Sequence, residues 1–305
     1  MACFTTSDAQ NSTNVRHSRP HGLVDRLLEA VHVKSTAEYA AQDFLTPDRV
    51  VPPPMLPEPA GGSVPLAVPG WPTHVNARSW GRPGAPSVIL MHGWSGQLGD
   101  LYGFVEPLVE LGFRVVAFDA PAHGRSAGET SSAPEFAQVL RAVADAAGPV
   151  HAVVAHSMGV LATMIALKAG LKAARVALIG APADPVRYVM AVARQHRLDA
   201  DETADLLSIL DARFDPPVSG LNLPGVAAQL SVPALLLHSV DDKVTPVSAT
   251  LQIAAAWRGA RTHLVEGLGH RRILADAGVI GEVTSFVAGS PAMTAQGVDR
   301  LARVG

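Results

Sequence analysis

Short apolar runs alternate with segments of helical spacing from about residue 64 onward. The runs that read as strands lie at 87–91, 113–118, 150–154, 175–179, 234–238 and 262–265. The helix-like segments lie between and after them, at 98–111, 134–146, 157–169, 248–257 and 275–287. Most of the runs are short and largely apolar, which is typical of strands covered by helices on both faces. The pattern therefore predicts an α/β protein with a mostly parallel sheet, and residues 64–80 are expected to add one or two antiparallel strands at its edge.

Two parts of the chain do not follow this alternation. The interval between residues 179 and 234 holds two helix candidates, 185–195 and 202–210, and no clear strand. We expect it to form a helical cap over the carboxyl edge of the sheet, where open α/β sheets bind their ligands. Before the first strand, a helical pattern over 23–44 leads into the proline-rich stretch 51–59, which cannot be a helix or a central strand.

The chain is accordingly divided into an arm, a core, a cap and a tail. Residues 1–62 are the N-terminal arm, predicted to contain a flexible leader, the helix and the proline-rich connector. Residues 63–182 and 232–290 form the α/β core, and the cap insertion is 183–231. A C-terminal tail, 291–305, completes the chain.

Composition narrows the class of protein. Hydrophobic residues make up 48% of the 305 residues and charged residues 17%, with a formal net charge of −3 and no block of Lys or Arg, which argues against nucleic acid as a partner. The single Cys3 excludes a disulfide framework. The sequence shows neither a secretory signal nor an apolar run of roughly 18 residues, so we expect a cytoplasmic protein without a membrane span.

A serine follows directly on the strand predicted at 150–154. In the sequence Ala155-His156-Ser157-Met158-Gly159 the serine lies between a strand and a helix and is flanked by small residues. Such a corner exposes the hydroxyl and brings it close to the N–H groups that begin the helix. Ala155 replaces the first glycine of the G-x-S-x-G pattern, and a small side chain meets the packing requirement there. The alternative is a serine without a catalytic role, buried in an ordinary connection between a strand and a helix.

A serine nucleophile needs a base to take its proton and an acid to orient that base. Asp241 and Asp242 follow the strand predicted at 234–238, and His270 follows the strand at 262–265. These residues should therefore meet Ser157 at the same edge of the sheet.

Four motifs together resemble the α/β-hydrolase superfamily, over about residues 80–287. They are His92-Gly93-Trp94-Ser95-Gly96 after a strand, Asp119-Ala120-Pro121-Ala122-His123-Gly124-Arg125-Ser126, the serine corner, and Gly269-His270. The serine corner is similar to the nucleophile elbow of small bacterial lipases. The resemblance implies an α/β-hydrolase fold with the chain order Ser, Asp, His.

The resemblance also assigns roles to residues. Ser157 is expected to be the nucleophile, His270 the general base and acid, and the backbone N–H groups of Trp94 and Met158 the oxyanion hole. Asp242 is favoured as the triad acid because it precedes a short apolar-Pro segment, and Asp241 is its rival. Asp184 holds a position that some hydrolases use for the acid, and a helix cap is favoured for it here.

The pocket is expected to bind a small-molecule acyl ester. His156, Tyr188, Met190, Val192 and Phe214 are candidates to line it. His92, His123 and His238 are interpreted as structural residues. The histidines lack metal-ligand partners at helical spacing, so the sequence predicts no metal and no cofactor.

Arg271 and Arg272 follow His270 and are candidates to anchor a substrate carboxylate, although surface or interdomain salt bridges are favoured for both.

The sequence thus predicts a serine hydrolase acting on a carboxylic ester. Thioesters, lactones and carbon–carbon bonds are cleaved with the same triad, and an acyltransferase would use it too. A protein of another class, which binds a ligand with little turnover, is the third alternative. The N-terminal arm is a candidate for dimer contacts, and a homodimer is one expected assembly.

Overall fold

The structure is a computed structural model and describes residues 34–48, 53–182 and 184–289. The predicted leader at 1–20, the first part of the helix predicted at 23–44 and the tail at 291–305 lie outside the described residues.

An eight-stranded sheet forms the centre of the fold. Its strands, in chain order, are β1 Val64–Pro65, β2 Ala77–Trp80, β3 Ser87–Met91, β4 Arg114–Phe118, β5 Val150–His156, β6 Arg175–Ile179, β7 Ala234–Ser239 and β8 Arg261–Val265. Their order across the sheet is β1-β2-β4-β3-β5-β6-β7-β8. Strands β3 to β8 pair in parallel, whereas β1 and β2 are antiparallel at one edge. The predicted parallel sheet with antiparallel edge strands is confirmed.

Ten α-helices lie among the described residues. They are α1 Thr36–Leu45, α2 Val105–Glu110, α3 Ala133–Ala147, α4 Met158–Lys168, α5 Val186–Gln195, α6 Ala200–Arg213, α7 Leu223–Ala227, α8 Val247–Ala256, α9 Gly269–Arg272 and α10 Ala277–Ala288. Short 3₁₀ turns precede α2 and α10 and follow α6.

Helices cover both faces of the sheet because successive strand residues point to opposite sides. Ile89 and Met91 of β3 pack in one apolar cluster with α3, α4, α7 and α8. Their neighbours Val88 and Leu90 pack in another with α2 and α10. This arrangement explains why most of the strands are largely apolar in sequence.

Helix α1 covers only the last part of the pattern over 23–44, and residues 23–33 of that pattern lie outside the described residues. Lys34 and Ser35 are not helical, and α1 begins at Thr36, so the prediction is wrong at those two residues. The segment predicted as one helix over 98–111 begins instead as a 3₁₀ helix, Leu98–Phe104. Gly99 and Gly103 within it lower the preference for an α-helix.

Helices α5 and α6 share an apolar cluster with α1 rather than with the sheet. Helix α7, in the last part of the segment expected to be the cap, instead packs against the core helices α4 and α8. The separate helical layer is therefore made of α1, α5 and α6. No described helix is both long enough and apolar enough to cross a membrane.

Candidate active site

Ser157 lies at a strained corner between β5 and α4. Its φ of 51° and ψ of −117° fall in a region that non-glycine residues rarely adopt. The backbone N–H of Ser157 donates a 2.9 Å hydrogen bond to the carbonyl of Ile179 on the neighbouring strand, which holds the corner in place. Strain of this kind persists where the surrounding structure enforces it, and it is concentrated at functional sites.

Small residues make the corner possible. A Cβ on Gly159 would lie 2.6 Å from the carbonyl oxygen of His92 and 2.8 Å from that of Met91, so only glycine lets α4 approach β3 this closely. Ala155, which replaces the first glycine of the pattern, is fully buried, and its methyl group is accommodated. The corner therefore tolerates alanine on one side of the serine, whereas the glycine on the other side has no space for a side chain.

His270 lies at the start of α9 and is held by Asp242 in the loop after β7. The Nδ1–H of His270 donates a hydrogen bond of 2.7 Å to Oδ2 of Asp242. With the proton on Nδ1, the lone pair of Nε2 is left to accept a proton. This is the arrangement that a general base requires. Ser157 and His270 line the same cavity.

The carboxylate of Asp242 is almost fully buried and accepts several hydrogen bonds. Besides His270, the backbone N–H groups of Val244 and Thr245 donate to Oδ1 at 2.8 and 2.9 Å, and the Thr245 hydroxyl donates to Oδ2 at 2.9 Å. Burial opposes the charged form, but the hydrogen bonds from His270 and Thr245 outweigh it and hold the pKa of Asp242 well below its usual value. Asp242 is therefore ionised at neutral pH.

Asp241, the rival acid, is directed to a different part of the loop. Its Oδ1 accepts hydrogen bonds from the Ser239 hydroxyl and from the backbone N–H of Gly267 and Gly269. The Ser239 hydroxyl oxygen in turn accepts from the N–H groups of Leu268 and Gly269. Asp241 thus organises the loop that carries His270, while Asp242 contacts the imidazole.

The loop that contains Trp94 passes directly against the serine corner. A Cβ on Gly93 would lie 2.9 Å from the Cβ of Ser157. Met158 is the first residue of α4, and the N–H groups that begin a helix have no carbonyl partner within it. Trp94, next to Gly93, and Met158 both line the cavity.

Both ring nitrogens of His92 are engaged in hydrogen bonds with the backbone. The Ala120 N–H donates to Nε2 at 2.9 Å, so the proton lies on Nδ1, which donates to the carbonyl of Gly93 at 2.6 Å. Burial lowers the pKa of His92 to about 4. His92 is neutral and joins the Trp94 loop to the turn after β4.

His156 contacts the loop that carries His270 and does not line the cavity. Its Nε2 donates to the main-chain carbonyl of His270 at 2.9 Å, and the two imidazole rings are 4.6 Å apart. Burial and the nearby charge of His270 lower the pKa of His156 to about 3. His156 was expected in the pocket, but its side chain instead contacts the loop of His270, and no pattern in the sequence signals this contact.

A cavity of about 520 Å³ extends from Ser157 and His270 toward the cap. Of the expected pocket residues, Tyr188, Val192 and Phe214 line it, whereas Met190 is exposed and does not. Met190 is two residues from Tyr188 on α5, so the two side chains leave the helix in different directions. Burial raises the pKa of Tyr188 to about 12, so its phenol is neutral.

Several lining residues were not anticipated from the sequence. Asp43, Phe44, Thr46 and Asp48 come from α1 and the turn after it, and Ser131 and Ser132 come from the start of α3. The only sequence signal was the helical pattern of the arm, which indicated that one face is packed but did not indicate which part of the protein it packs against.

The remaining charged candidates bind other parts of the protein. Oδ1 of Asp184 accepts from the Val186 N–H and caps α5. Arg271 forms a 3.1 Å ion pair with Asp100, and Arg272 donates to the carbonyl of Gly267 at 2.8 Å. Within the described part of the chain, no three His, Cys, Asp or Glu side chains are grouped so as to hold a metal ion.

Solved structures share this fold. A bromoperoxidase from Bacillus anthracis aligns with a TM-score of 0.59 at 17% identity, over 75% of this chain and 100% of its own. An esterase from Rhodococcus sp. ECU1013 aligns with a TM-score of 0.54 at 20% identity, over 75% and 99%. A thioesterase domain from the curacin biosynthetic pathway aligns with a TM-score of 0.53 at 19% identity, also over 75% and 99%.

Similarity to these structures supports the fold alone, because all three identities are at or below 20%. No curated protein sequence matches this chain. The sequence model of the alpha/beta hydrolase family, however, matches residues 88–282, which include Ser157, Asp242 and His270. Since that match spans well over half of the chain, the protein belongs to the alpha/beta hydrolase family.

Proposed function

We propose that this protein is a serine hydrolase that cleaves a carboxylic ester through an acyl-serine intermediate. The observation that carries the proposal is the 2.7 Å hydrogen bond from His270 Nδ1 to the buried carboxylate of Asp242, with His270 and Ser157 lining the same cavity. The strained backbone of Ser157 supports it, because strain of this kind is typical of a nucleophile elbow.

In the first half of the reaction, Nε2 of His270 takes the Ser157 proton as the hydroxyl oxygen attacks the ester carbonyl. The resulting oxyanion accepts hydrogen bonds from the N–H groups of Trp94 and Met158. Losing one such donor typically costs about 10²- to 10³-fold in rate. Collapse of the tetrahedral intermediate breaks the bond to the alcohol, which leaves with the proton from His270.

In the second half, water attacks the acyl-serine, and His270 again transfers the proton. Asp242 stays ionised throughout and stabilises the imidazolium form of His270. His156 does not compete for the proton, because its pKa of about 3 keeps it neutral.

The deciding experiment is labelling with a fluorescent fluorophosphonate, together with turnover of p-nitrophenyl esters. Ser157→Ala should abolish labelling and lower kcat by up to about 10⁶-fold, because the nucleophile is lost. Ser248→Ala, at an exposed serine of α8, is the matched control and should label like the wild type. Labelling or full turnover by Ser157→Ala would refute the proposal.

The chemical class of the acyl bond is a separate question. The solved structures of the same fold include an esterase and a thioesterase domain, and both activities are compatible with the same triad. Comparing kcat/KM for an oxygen ester and for the thioester of the same acyl group decides between them. Adding an alcohol as acceptor and analysing the products separates hydrolysis from acyl transfer.

A further inference from the structure

The N-terminal helix α1 is an integral part of the cap. Its buried face consists of small and apolar residues that pack against the cap helices α5 and α6: Ala37, Ala40, Ala41 and Leu45. Their partners include Val189 and Ala193 on α5 and Leu206 and Leu210 on α6. The close-packed alanines let the helix approach its neighbours and bury their apolar surface, which is the main favourable term in such packing.

Polar contacts fix the same segment at three places. The Asp43 carboxylate accepts hydrogen bonds from Gln195 and His196, at the end of α5, at 3.2 and 3.0 Å. The Leu45 carbonyl accepts from the Ser131 N–H at 2.8 Å. The Asp48 N–H donates to the Ser95 hydroxyl at 3.0 Å, in the residue after Trp94. Residues 36–48 therefore connect the cap, the start of α3 and the loop of the oxyanion hole.

The segment also lines the cavity that contains Ser157, with Asp43, Phe44, Thr46 and Asp48. Phe44 is half-buried, and it packs against the cap cluster as well as lining the cavity. The match to the family model begins at residue 88, so this wall of the cavity lies outside the part shared with the family.

The lining is mostly apolar. Besides Phe44, its apolar and aromatic members include Trp94, Leu161, Tyr188, Val192 and Phe214. No Lys or Arg lines the cavity among the described residues, whereas two Asp residues do. An anionic group on the substrate would thus find carboxylates rather than a cation.

We propose that residues 36–48 determine substrate selectivity, with Phe44 as the wall that limits the length of an uncharged, straight apolar acyl chain. The inference rests on the proposed function, because it assumes that the chain extends into the cavity from the carbon that Ser157 attacks. Esters with uncharged, straight-chain acyl groups fit this description, and phosphate- or carboxylate-bearing esters do not.

The test compares kcat/KM for p-nitrophenyl acetate, butyrate, octanoate and laurate. Phe44→Ala should raise the ratio of laurate to butyrate by about tenfold, because one or more methylene groups gain space in an apolar pocket. Phe44→Leu should shift it less, in the same direction. The matched control is Tyr39→Ala, which truncates an exposed aromatic residue of α1 outside the cavity and should leave the ratio unchanged.

A binding measurement separates this inference from the hydrolase proposal. The measurement is the rise in Tm of Ser157→Ala protein with a series of n-alcohols. Adding Phe44→Ala should move the largest rise in Tm to an alcohol of greater chain length. Such a shift would support the pocket even if the wild type proved inactive. Two unchanged results together would overturn the inference. They are the wild-type chain-length ratio in Phe44→Ala protein that still reacts with the fluorophosphonate, and the same preferred alcohol in Ser157→Ala protein with and without Phe44→Ala. Labelling of the Phe44→Ala protein would leave Ser157 as the nucleophile.

Discussion

The Nε2 atom of His156 donates a hydrogen bond to the main-chain carbonyl oxygen of His270. The residue before the proposed nucleophile therefore holds the backbone of the proposed base. Because β5 and α9 are distant in sequence, this bond is a direct link between the two halves of the site. It contacts the loop of His270 at the main chain, at a point separate from the hydrogen bond between the imidazole and Asp242.

Removing that link should affect the rate more than substrate binding. We expect His156→Phe to lower kcat by about 10- to 100-fold with little change in KM, because a base displaced by a fraction of an ångström transfers a proton poorly. The measurement is steady-state kinetics on one ester.

His156→Gln is the matched variant for this prediction, because its side-chain amide N–H can replace the lost donor. Partial recovery of kcat in this variant would show that the hydrogen bond matters. Equal losses in both variants would indicate a packing defect instead.

The two neighbouring aspartates should differ sharply in their effect on catalysis. Asp242→Asn replaces the acceptor for His270 Nδ1–H with an amide and should lower kcat by about 10⁴-fold, because it disfavours the required tautomer. Asp241→Asn keeps one oxygen that can accept from Gly267 or Gly269 and should be far less damaging. Steady-state kinetics on the two variants gives the ranking, and the reverse order would refute the assignment of Asp242.

Two buried histidines should make the folded protein sensitive to mild acid. The pKa values of His92 and His156 fall to about 4 and about 3 on folding, whereas the unfolded value is about 6.5. Below pH 6.5 the unfolded chain therefore binds more protons than the native one. The free energy of unfolding should decrease as pH falls, by on the order of 1 kcal/mol per pH unit for each histidine.

Urea unfolding at several pH values between about 7 and about 5 measures this slope. His156→Gln removes one of the two titrating groups and should make the slope shallower. If the wild type and this variant lose stability in parallel, His156 does not titrate as its burial indicates.

Gly159, two residues after Ser157, should not tolerate even a methyl group. Gly159→Ala would place a Cβ against the backbone oxygens of Met91, at the end of the central strand β3, and of His92, in the loop after it. We expect a loss of about 1–3 kcal/mol in the free energy of unfolding, as for other overpacked sites, together with reduced kcat. Urea unfolding and ester turnover measure the two effects.

Gly281→Ala, in α10, is the matched control for this substitution. A Cβ on Gly281 would meet nothing within 4 Å, so it should stabilise the helix by about 0.5–1 kcal/mol. Similar destabilisation by both substitutions would show that the effect at Gly159 is not steric.

Much of the fold was predictable because the composition of each strand reflects how deeply it is buried. A strand covered on both faces is largely apolar, so β3, β5, β6 and β7 are visible as short runs with few polar residues. The serine corner and the loops after β7 and β8 were predictable for a related reason. Parallel strands bring their carboxyl ends to one edge, so residues that follow different strands meet there.

Contacts between distant segments could not be read in the same way. The helical spacing of α1 indicates an apolar face but not the helices against which that face packs. No sequence pattern around Phe44 indicates that it lines a cavity. The orientation of a side chain on a helix likewise decides that Tyr188 lines the cavity while Met190 does not. The family motif favours Asp242 over Asp241, but only the path of the loop after β7 brings its carboxylate to His270.

The sequence by itself determined the α/β class, the order of its strands along the chain and the serine, aspartate and histidine that the family motifs single out. These features depend on local periodicity and on short motifs, both of which involve residues close together in the sequence. Only the tertiary structure shows that α1 packs against α5 and α6, that His156 contacts His270 and which residues line the cavity. These depend on packing between segments far apart in the chain, where many sequences satisfy the same local pattern and only the folded arrangement selects the contact.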